Sequence, residues 1–259
     1  MRWKIGVLVV LVVLAIGSWA FIFINRNGDV ATDDSTYSAP PLQAEASSTP
    51  TSTPSPTPAP KVTIPEGAKV VIVGDSWTVG YAATPAGKGY APLVADAMGW
   101  DLTNMGASGT GYVNPGPKDE GTYASRIADE SVDRGVDLVI IQGSVNDASN
   151  KDAGGVTAGA TKAIAAARET WPSAQLIILG PCPSVLPVST NLSSVDSQLT
   201  SITQKVHLNY VSCVQEQWIT SSNFSRVIDA SKLNHPSTEG HAFLAKKVET
   251  DLRKIVVTK

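Results

Sequence analysis

Four short groups in this chain carry side chains able to do chemistry together. They are Gly74-Asp75-Ser76, Asn104-Met105-Gly106-Ala107-Ser108-Gly109, Gly143-Ser144-Val145-Asn146-Asp147 and Asn234-His235-Pro236. Between them they supply a hydroxyl, a glycine-rich turn, a carboxamide and an imidazole, which are the parts of an acyl-transfer site. A serine hydroxyl is a poor nucleophile until a base takes its proton, and histidine does this near neutral pH. The oxyanion of a tetrahedral intermediate then needs preorganised donors, which backbone N–H groups and an asparagine amide provide. On the first tripeptide alone, the simpler reading is that Asp75 or Ser76 caps a helix. The other three groups change that balance.

For these groups to meet, the segments before them must deliver them to one place. Residues 69–73 form a short run rich in valine and isoleucine that reads as a buried parallel strand, broken by Gly74. Residues 90–98 suit a helix ended by Gly99, and 101–104 a short strand. Residues 123–134 read as a helix with Gly135 at its C-terminal cap, and 137–142 as a second clear strand. An alanine-rich helix is expected over 156–170, stopped by Pro172, followed by a strand over 175–179. Helix over 195–208, strand over 209–214 and a last helix over 239–255 complete the pattern. Strands separated by helices imply right-handed crossovers and a parallel sheet covered on both faces. The expectation is a three-layer α/β/α sandwich, flavodoxin-like, with about five strands. In such a sheet ligands bind at the strands' carboxyl ends, where three of the groups fall; the fourth, Asn234-His235-Pro236, lies just before the last helix.

With those residues in view, the domain resembles the SGNH, or GDSL-type, hydrolases over roughly residues 69–245. Gly74-Asp75-Ser76 matches the family's first block, which implies that Ser76 is the nucleophile. Asn104-x-Gly106-x-Ser108-Gly109 looks like the second block, and Gly109 takes the oxyanion-glycine position by its distance from Asn104. Asn146-Asp147 resembles the third, with Asn146 as the side-chain oxyanion donor. His235-Pro236 followed by Gly240-His241 looks like the last, making His235 the base. The four occur in the family's order.

Two departures from the family pattern stand out. Ser144 occupies the place of a usual glycine in the third block, with Gly143 one residue earlier. The last block usually reads Asp-x-x-His, and the residue three before His235 is Lys232. A cation does not replace a carboxylate that orients the imidazole and stabilises its protonated form. Three readings stay open, in this order. A backbone carbonyl holds the ring N–H in a Ser–His dyad, Asp229 reaches His235 around a bulged loop, or the site is an impaired relic.

Other residues have simpler readings beside functional ones. His241 is expected to pack or bond at a helix end, and His207 to be solvated. Asp147 either fixes the loop near Asn146 or caps a helix. Trp77 lines a substrate pocket or, slightly preferred, makes a core contact. No Cys/His/Asp/Glu grouping has metal-ligand spacing, so neither metal nor other cofactor is expected. Cys182 lies just past one expected strand and Cys213 at the end of the next, so both thiols fall at one sheet edge. Outside the cell they would pair as a disulfide.

The first sixty residues have another character. Of the 259 residues, 5–24 form a run without charge, preceded by Arg2 and Lys4 and followed by Arg26. That is about the length of a helix across a bilayer, and the flanking charge favours the N-terminus inside. A retained anchor is the first expectation and a cleaved signal the second; both export the remainder. Residues 47–60 contain only Ser, Thr, Pro and Ala, a composition that cannot bury enough apolar surface to order itself. The expected organisation is thus an anchor or signal over 1–30, a Ser/Thr/Pro-rich stalk over 31–63 and a catalytic domain over 64–259. A net charge of -3 gives no sign of a nucleic-acid partner. The reading that follows is an exported, monomeric serine ester hydrolase, with an acylated glycan or small lipid ester as substrate and the membrane as its other contact. An O-acyltransferase on the same site, or a surface-displayed glycan- or lipid-binding module on a degenerate hydrolase fold, are the alternatives.

Overall fold

The computed structural model describes residues 59–85, 87–149 and 153–259. The expected anchor or signal, and the stalk as far as residue 58, lie outside the described residues. Among the described residues no helix is long and apolar enough to cross a membrane.

In chain order the elements are β1 (Val62–Ile64), β2 (Lys69–Gly74), α1 (Ser76–Val79), α2 (Tyr90–Met98), β3 (Asp101–Gly106), α3 (Tyr123–Ala128), β4 (Leu138–Gln142), α4 (Val145–Ser149) and α5 (Val156–Thr170). They continue with β5 (Gln175–Leu179), α6 (Thr190–Lys205), β6 (Asn209–Val211), α7 (Phe224–Val227), β7 (Ile228–Asp229), β8 (His235–Pro236), α8 (Thr238–Ile255) and β9 (Val256–Thr258). Five strands pair in parallel in the order β3-β2-β4-β5-β6. Connections leave β2 first to one side and then to the other, so a crevice opens at the carboxyl ends beside it. The strands β1 and β9 pair with each other and tie the start of the domain to its last helix.

Alternation along the strands divides the apolar residues between two faces. Val70, Ile72, Leu138, Ile140 and Ile177 pack with Val94 of α2 and with Leu244 and Val248 of α8. Val71, Val73, Val139, Ile141 and Ile178 pack with Ile127 of α3, Ala163 of α5 and Leu199 of α6. This is the expected three-layer sandwich. Central strand β4 is buried at every residue, as a strand covered on both faces must be.

Three elements differ in extent from the sequence expectation by three residues or more. The helix expected over 123–134 stops at Ala128, because Tyr123 and Ile127 are its buried residues and the next positions on that stripe are Ser131 and Arg134, which have nothing to bury. The helix expected from 195 begins at Thr190. Ser189 caps it by accepting from Leu192 N, and Leu192 already lies on the buried stripe with Val195 and Leu199. The last strand of the sheet ends at Val211.

Cys182, after β5, and Cys213, after β6, form a disulfide across two adjacent strands with their Cα atoms 5.1 Å apart. It closes a loop of sequence separation 31, which on the chain-entropy model stabilises the fold by roughly 3–4 kcal/mol. We expect Cys182→Ser/Cys213→Ser to lose about that much unfolding free energy in urea titrations. A variant as stable as the parent would show that the crosslink does little to the unfolded chain.

Candidate active site

The position of Ser76 follows from how β2 ends. Gly74 is needed there for close approach, not for an unusual dihedral. A Cβ at this position would meet Thr78 Oγ1 at 2.1 Å and Gln142 Oε1 at 2.8 Å. The chain turns at once into α1, where Asp75 is the N-cap, its Oδ1 accepting from Trp77 N at 2.9 Å. The cap at Asp75 leaves the Ser76 hydroxyl free to be placed toward His235. Asp75 caps, and Ser76, in the first turn, presents its hydroxyl to His235.

Ser76 Oγ lies 2.7 Å from His235 Nε2. On the far side of the ring, Nδ1 lies 2.9 Å from the Lys232 carbonyl and 3.1 Å from that of Leu233. A carbonyl only accepts, so the proton sits on Nδ1. Nε2 carries the lone pair, and the Ser76 O–H donates to it. Leu233 and Asn234 both adopt left-handed backbone, each with φ of 56°, and this curl brings the two carbonyls onto one N–H. The Asp229 carboxylate is engaged elsewhere: its Oδ1 accepts from Ser231 N at 2.9 Å and Ser231 Oγ at 2.7 Å, and these bonds hold its pKa below the usual carboxylate range. Asp229 pairs with His235 through the β7–β8 backbone register, yet its side chain does not reach the imidazole.

The remaining groups meet beside this pair. Gly109 has φ of 81°, and a Cβ there would strike Pro117 Cδ at 2.6 Å, so only glycine fits. Neither its N–H nor that of Ser76 donates to another group among the described residues. Asn146 Nδ2 donates to the Thr110 carbonyl at 2.9 Å, and a carboxamide has a second N–H to offer. The Asp147 carboxylate accepts from three successive backbone groups, Tyr112 N, Val113 N and Asn114 N, at 2.8, 3.2 and 2.9 Å. It therefore fixes the loop that follows Gly109. Ser144, at the position of a family glycine, caps α4 by accepting from Asp147 N at 3.2 Å. Asn104 closes the turn below, donating to Thr78 O at 2.8 Å and accepting from Gly106 N at 2.9 Å.

Other expectations resolve simply. Trp77 is a core residue, 3% exposed. The space beside it, lined by Tyr90, Leu179, Trp218 and Val248, holds only about 10 Å³, room for no more than one water, so no substrate chain lodges there. His241 is buried, accepting from Tyr90 N at Nδ1 and donating from Nε2 to Tyr81 O at 3.0 Å. Burial lowers its pKa, against the pull of the Tyr81 carbonyl. Two residues near Ser76 and His235 were not legible in the sequence. The half-exposed Tyr81 ring packs on the His235 imidazole with centroids 4.5 Å apart, and Arg126 donates to Thr110 Oγ1 at 2.8 Å. Tyr81 follows Ser76 by five residues, and that proximity was its one signal.

This constellation agrees with what the chain resembles. A family model described as GDSL-like Lipase/Acylhydrolase matches residues 72–243, and the chain belongs to that family. Among solved structures, a carbohydrate esterase family 2 enzyme with its carbohydrate-binding domain from Corynascus thermopiles (Myceliophthora fergusii) superposes with a TM-score of 0.57 at 18% identity, over 78% of this chain and 68% of that one. The inhibitor-bound aryl esterase of M. smegmatis gives 0.55 at 14% identity, over 73% and 99%. A family two carbohydrate esterase from Cellvibrio japonicus gives 0.57 at 19% identity, over 74% and 62%. At these identities the likeness is one of fold. No curated protein matches the sequence.

Behind Ser76 lies a buried polar patch. Among the described residues, Asp75 Oδ2, Tyr112 Oη and Tyr123 Oη have no hydrogen-bond partner. Burial pushes the Asp75 carboxyl up from 3.8 to about 7, opposed by the Trp77 N–H and reinforced by Asp147. Between those two values the folded chain holds a proton that the unfolded chain has released. Stability therefore falls as pH rises through that window and stays low above it. Asp75→Asn keeps an oxygen for Trp77 N and carries no charge. We expect it to be more stable than the parent at pH 8, by roughly 1–4 kcal/mol, with the gap closing toward pH 5. Urea melts at both values test this; a gap independent of pH would exclude Asp75 as the titrating group.

Proposed function

We propose that this chain is an extracytoplasmic serine ester hydrolase in which Ser76 is the nucleophile and His235 the general base. Gly109, Asn146 and the Ser76 N–H form the oxyanion hole. The observation that carries this reading is the His235 ring itself, with Nε2 at 2.7 Å from Ser76 Oγ and Nδ1 turned to two carbonyls. A triad carboxylate does two things: it selects the tautomer and it stabilises the imidazolium. Here the carbonyls of Lys232 and Leu233 do the first fully and the second through their dipoles. The Lys232 side chain then has no part in the chemistry.

In the first half-reaction Ser76 Oγ attacks the ester carbonyl carbon as its proton passes to Nε2. The carbonyl π pair moves onto oxygen, where the three donors meet it. Collapse breaks the bond to the leaving alcohol, which takes the proton from His235 and leaves acyl-Ser76. Water then gives a proton to Nε2 and attacks the acyl carbon. The second collapse returns the proton to Ser76 Oγ and releases the carboxylic acid.

The substrate we propose is a short acyl ester of a carbohydrate hydroxyl at or beyond the cell surface. The filled space beside Trp77 argues against a long acyl chain, and two of the fold neighbours are carbohydrate esterases. The Cys182–Cys213 disulfide fits an oxidising compartment, and residues 5–24 and the stalk supply the tether in this reading.

The test is turnover of p-nitrophenyl acetate, longer acyl esters and an acetylated polysaccharide by the full chain. Ser76→Ala and His235→Ala should each lower kcat by about 10⁴-fold or more. Asp229→Asn and Lys232→Ala should stay within about twofold, because neither side chain holds the imidazole. Wild-type turnover that survives in Ser76→Ala would sink the mechanism. An inert wild type whose Ser76 also resists an active-site phosphonate would favour the glycan-binding module.

A further inference from the structure

Arg126 sits on α3, outside all four groups that carry the chemistry. A surface arginine ordinarily leaves its charge in water. This one is half-buried, and burial lowers its pKa. Among the described residues it makes no ion pair with a carboxylate. Its donors go instead to the framework of the site. Nη1 donates to the Gly74 carbonyl at 3.2 Å and to Thr110 Oγ1 at 2.8 Å, and Nη2 donates to the Met105 carbonyl. The guanidinium also lies over the Tyr123 ring, 5.7 Å from its centroid.

Two of those acceptors, Gly74 and Thr110, bear on the oxyanion donors, and the third, Met105, begins the segment that carries Gly109. Gly74 is the last residue of β2, two before Ser76, and its carbonyl also accepts from Ala107 N at 3.0 Å. Thr110 directly follows Gly109. Its hydroxyl donates to Ala107 O at 2.7 Å, and its carbonyl receives the Asn146 amide at 2.9 Å. The segment from Met105 to Thr110, with Gly109 inside it, is thus pinned at both ends by one planar cation. A fork of fixed N–H directions holds several acceptors at set angles in a way an ammonium does not.

We infer that Arg126 is the positioning residue of the oxyanion hole, holding the Ser76 strand end, the Gly109 turn and the Asn146 amide in register with one another. This rests on the ester-hydrolase reading above. Donors held this way act on the developing charge and not on the ground-state ester, so the loss falls on kcat. A displacement of about 1 Å at such a site costs about 10²-fold.

The experiment compares the full chain with Arg126→Ala, Arg126→Lys and Ser76→Ala. It measures kcat and KM per site titrated with a phosphonate, the affinity of a boronic acid that mimics the tetrahedral adduct, and the melting temperature. For Arg126→Ala we expect kcat to fall about 10²-fold with KM within about threefold, and boronate affinity to fall in step with kcat/KM. Added guanidinium ion should restore part of that kcat and none of the activity of Ser76→Ala. Arg126→Lys should lose about tenfold, and it carries the test alone if the alanine variant does not fold. A lower melting temperature with kcat per titrated site unchanged would overturn the inference and leave Arg126 a stabilising residue only. Wild-type turnover that depends on Ser76 but is indifferent to Arg126 would overturn it without touching the proposed function. A wild type inert to both esters and phosphonate would overturn both.

Discussion

A parallel strand that ends in a turn leaves its last carbonyl at the edge of the sheet, and in this protein that carbonyl belongs to Gly74. It accepts Ala107 N at 3.0 Å and Arg126 Nη1 at 3.2 Å. One bond carries the β2–β3 ladder on into the Gly109 turn, and the other ties the end of β2 to α3. Gly74 has no side chain, so Thr78 Oγ1 can approach and donate to Gln142 Oε1 at 2.7 Å, which locks α1 against the end of β4. The position of the Ser76 hydroxyl is therefore set by backbone geometry at the end of one strand. A methyl group on Gly74 would push α1 away, and the 2.7 Å contact between Ser76 and His235 would go with it.

The imidazole is placed by a different device. The Lys232 and Leu233 carbonyls converge on Nδ1 because two successive non-glycine residues take left-handed backbone, a conformation that costs about 1–2 kcal/mol per residue. That cost is sustained by the short β7–β8 pairing before and after the curl and by the Ser237 cap of α8, whose hydroxyl accepts from Gly240 N at 2.9 Å and donates to Arg226 O at 3.0 Å. A carboxylate would stabilise the imidazolium by full charge in addition to direction. The carbonyl pair gives direction with only dipolar stabilisation, and the Tyr81 ring covers one side of the imidazole at 4.5 Å.

Much of this was legible in the sequence where local pattern and tertiary role agree. The bounds of α2, α5 and β5 follow from apolar periodicity, with Gly99 and Pro172 as stops for the helices. The four chemical groups follow from residue type at predicted strand ends and just before the last helix. Legibility failed where the deciding partner is remote in sequence. Nothing near Arg126 says that its acceptors lie 16 to 52 residues away. Nothing in Asp229-Ala230-Ser231-Lys232 says that the carboxylate will choose Ser231 over His235, since both are within reach along the chain. Helix α3 was overextended because the composition of 129–134 tolerates a helix while its apolar stripe has ended. The role of Asp147 stayed ambiguous because its three N–H donors are brought to it only by the fold.

The polar groups behind Ser76 set a limit on how stable this fold can be. A buried carboxyl with one oxygen unpartnered and two buried tyrosine hydroxyls beside it is the kind of local conflict that a sequence chosen for stability alone would remove. An apolar residue at 75 would release that penalty, yet it would also remove the acceptor for Trp77 N and with it the first turn of α1. The cap and Ser76 are adjacent, so the cap must be polar, and the sheet's burial on both faces forces that polar group inside. The two apolar faces of the sheet and the Cys182–Cys213 crosslink offset the cost from elsewhere in the domain. Rigidity at the site and strain beneath it are in that sense one property, fixed by placing a hydroxyl at the end of a buried strand.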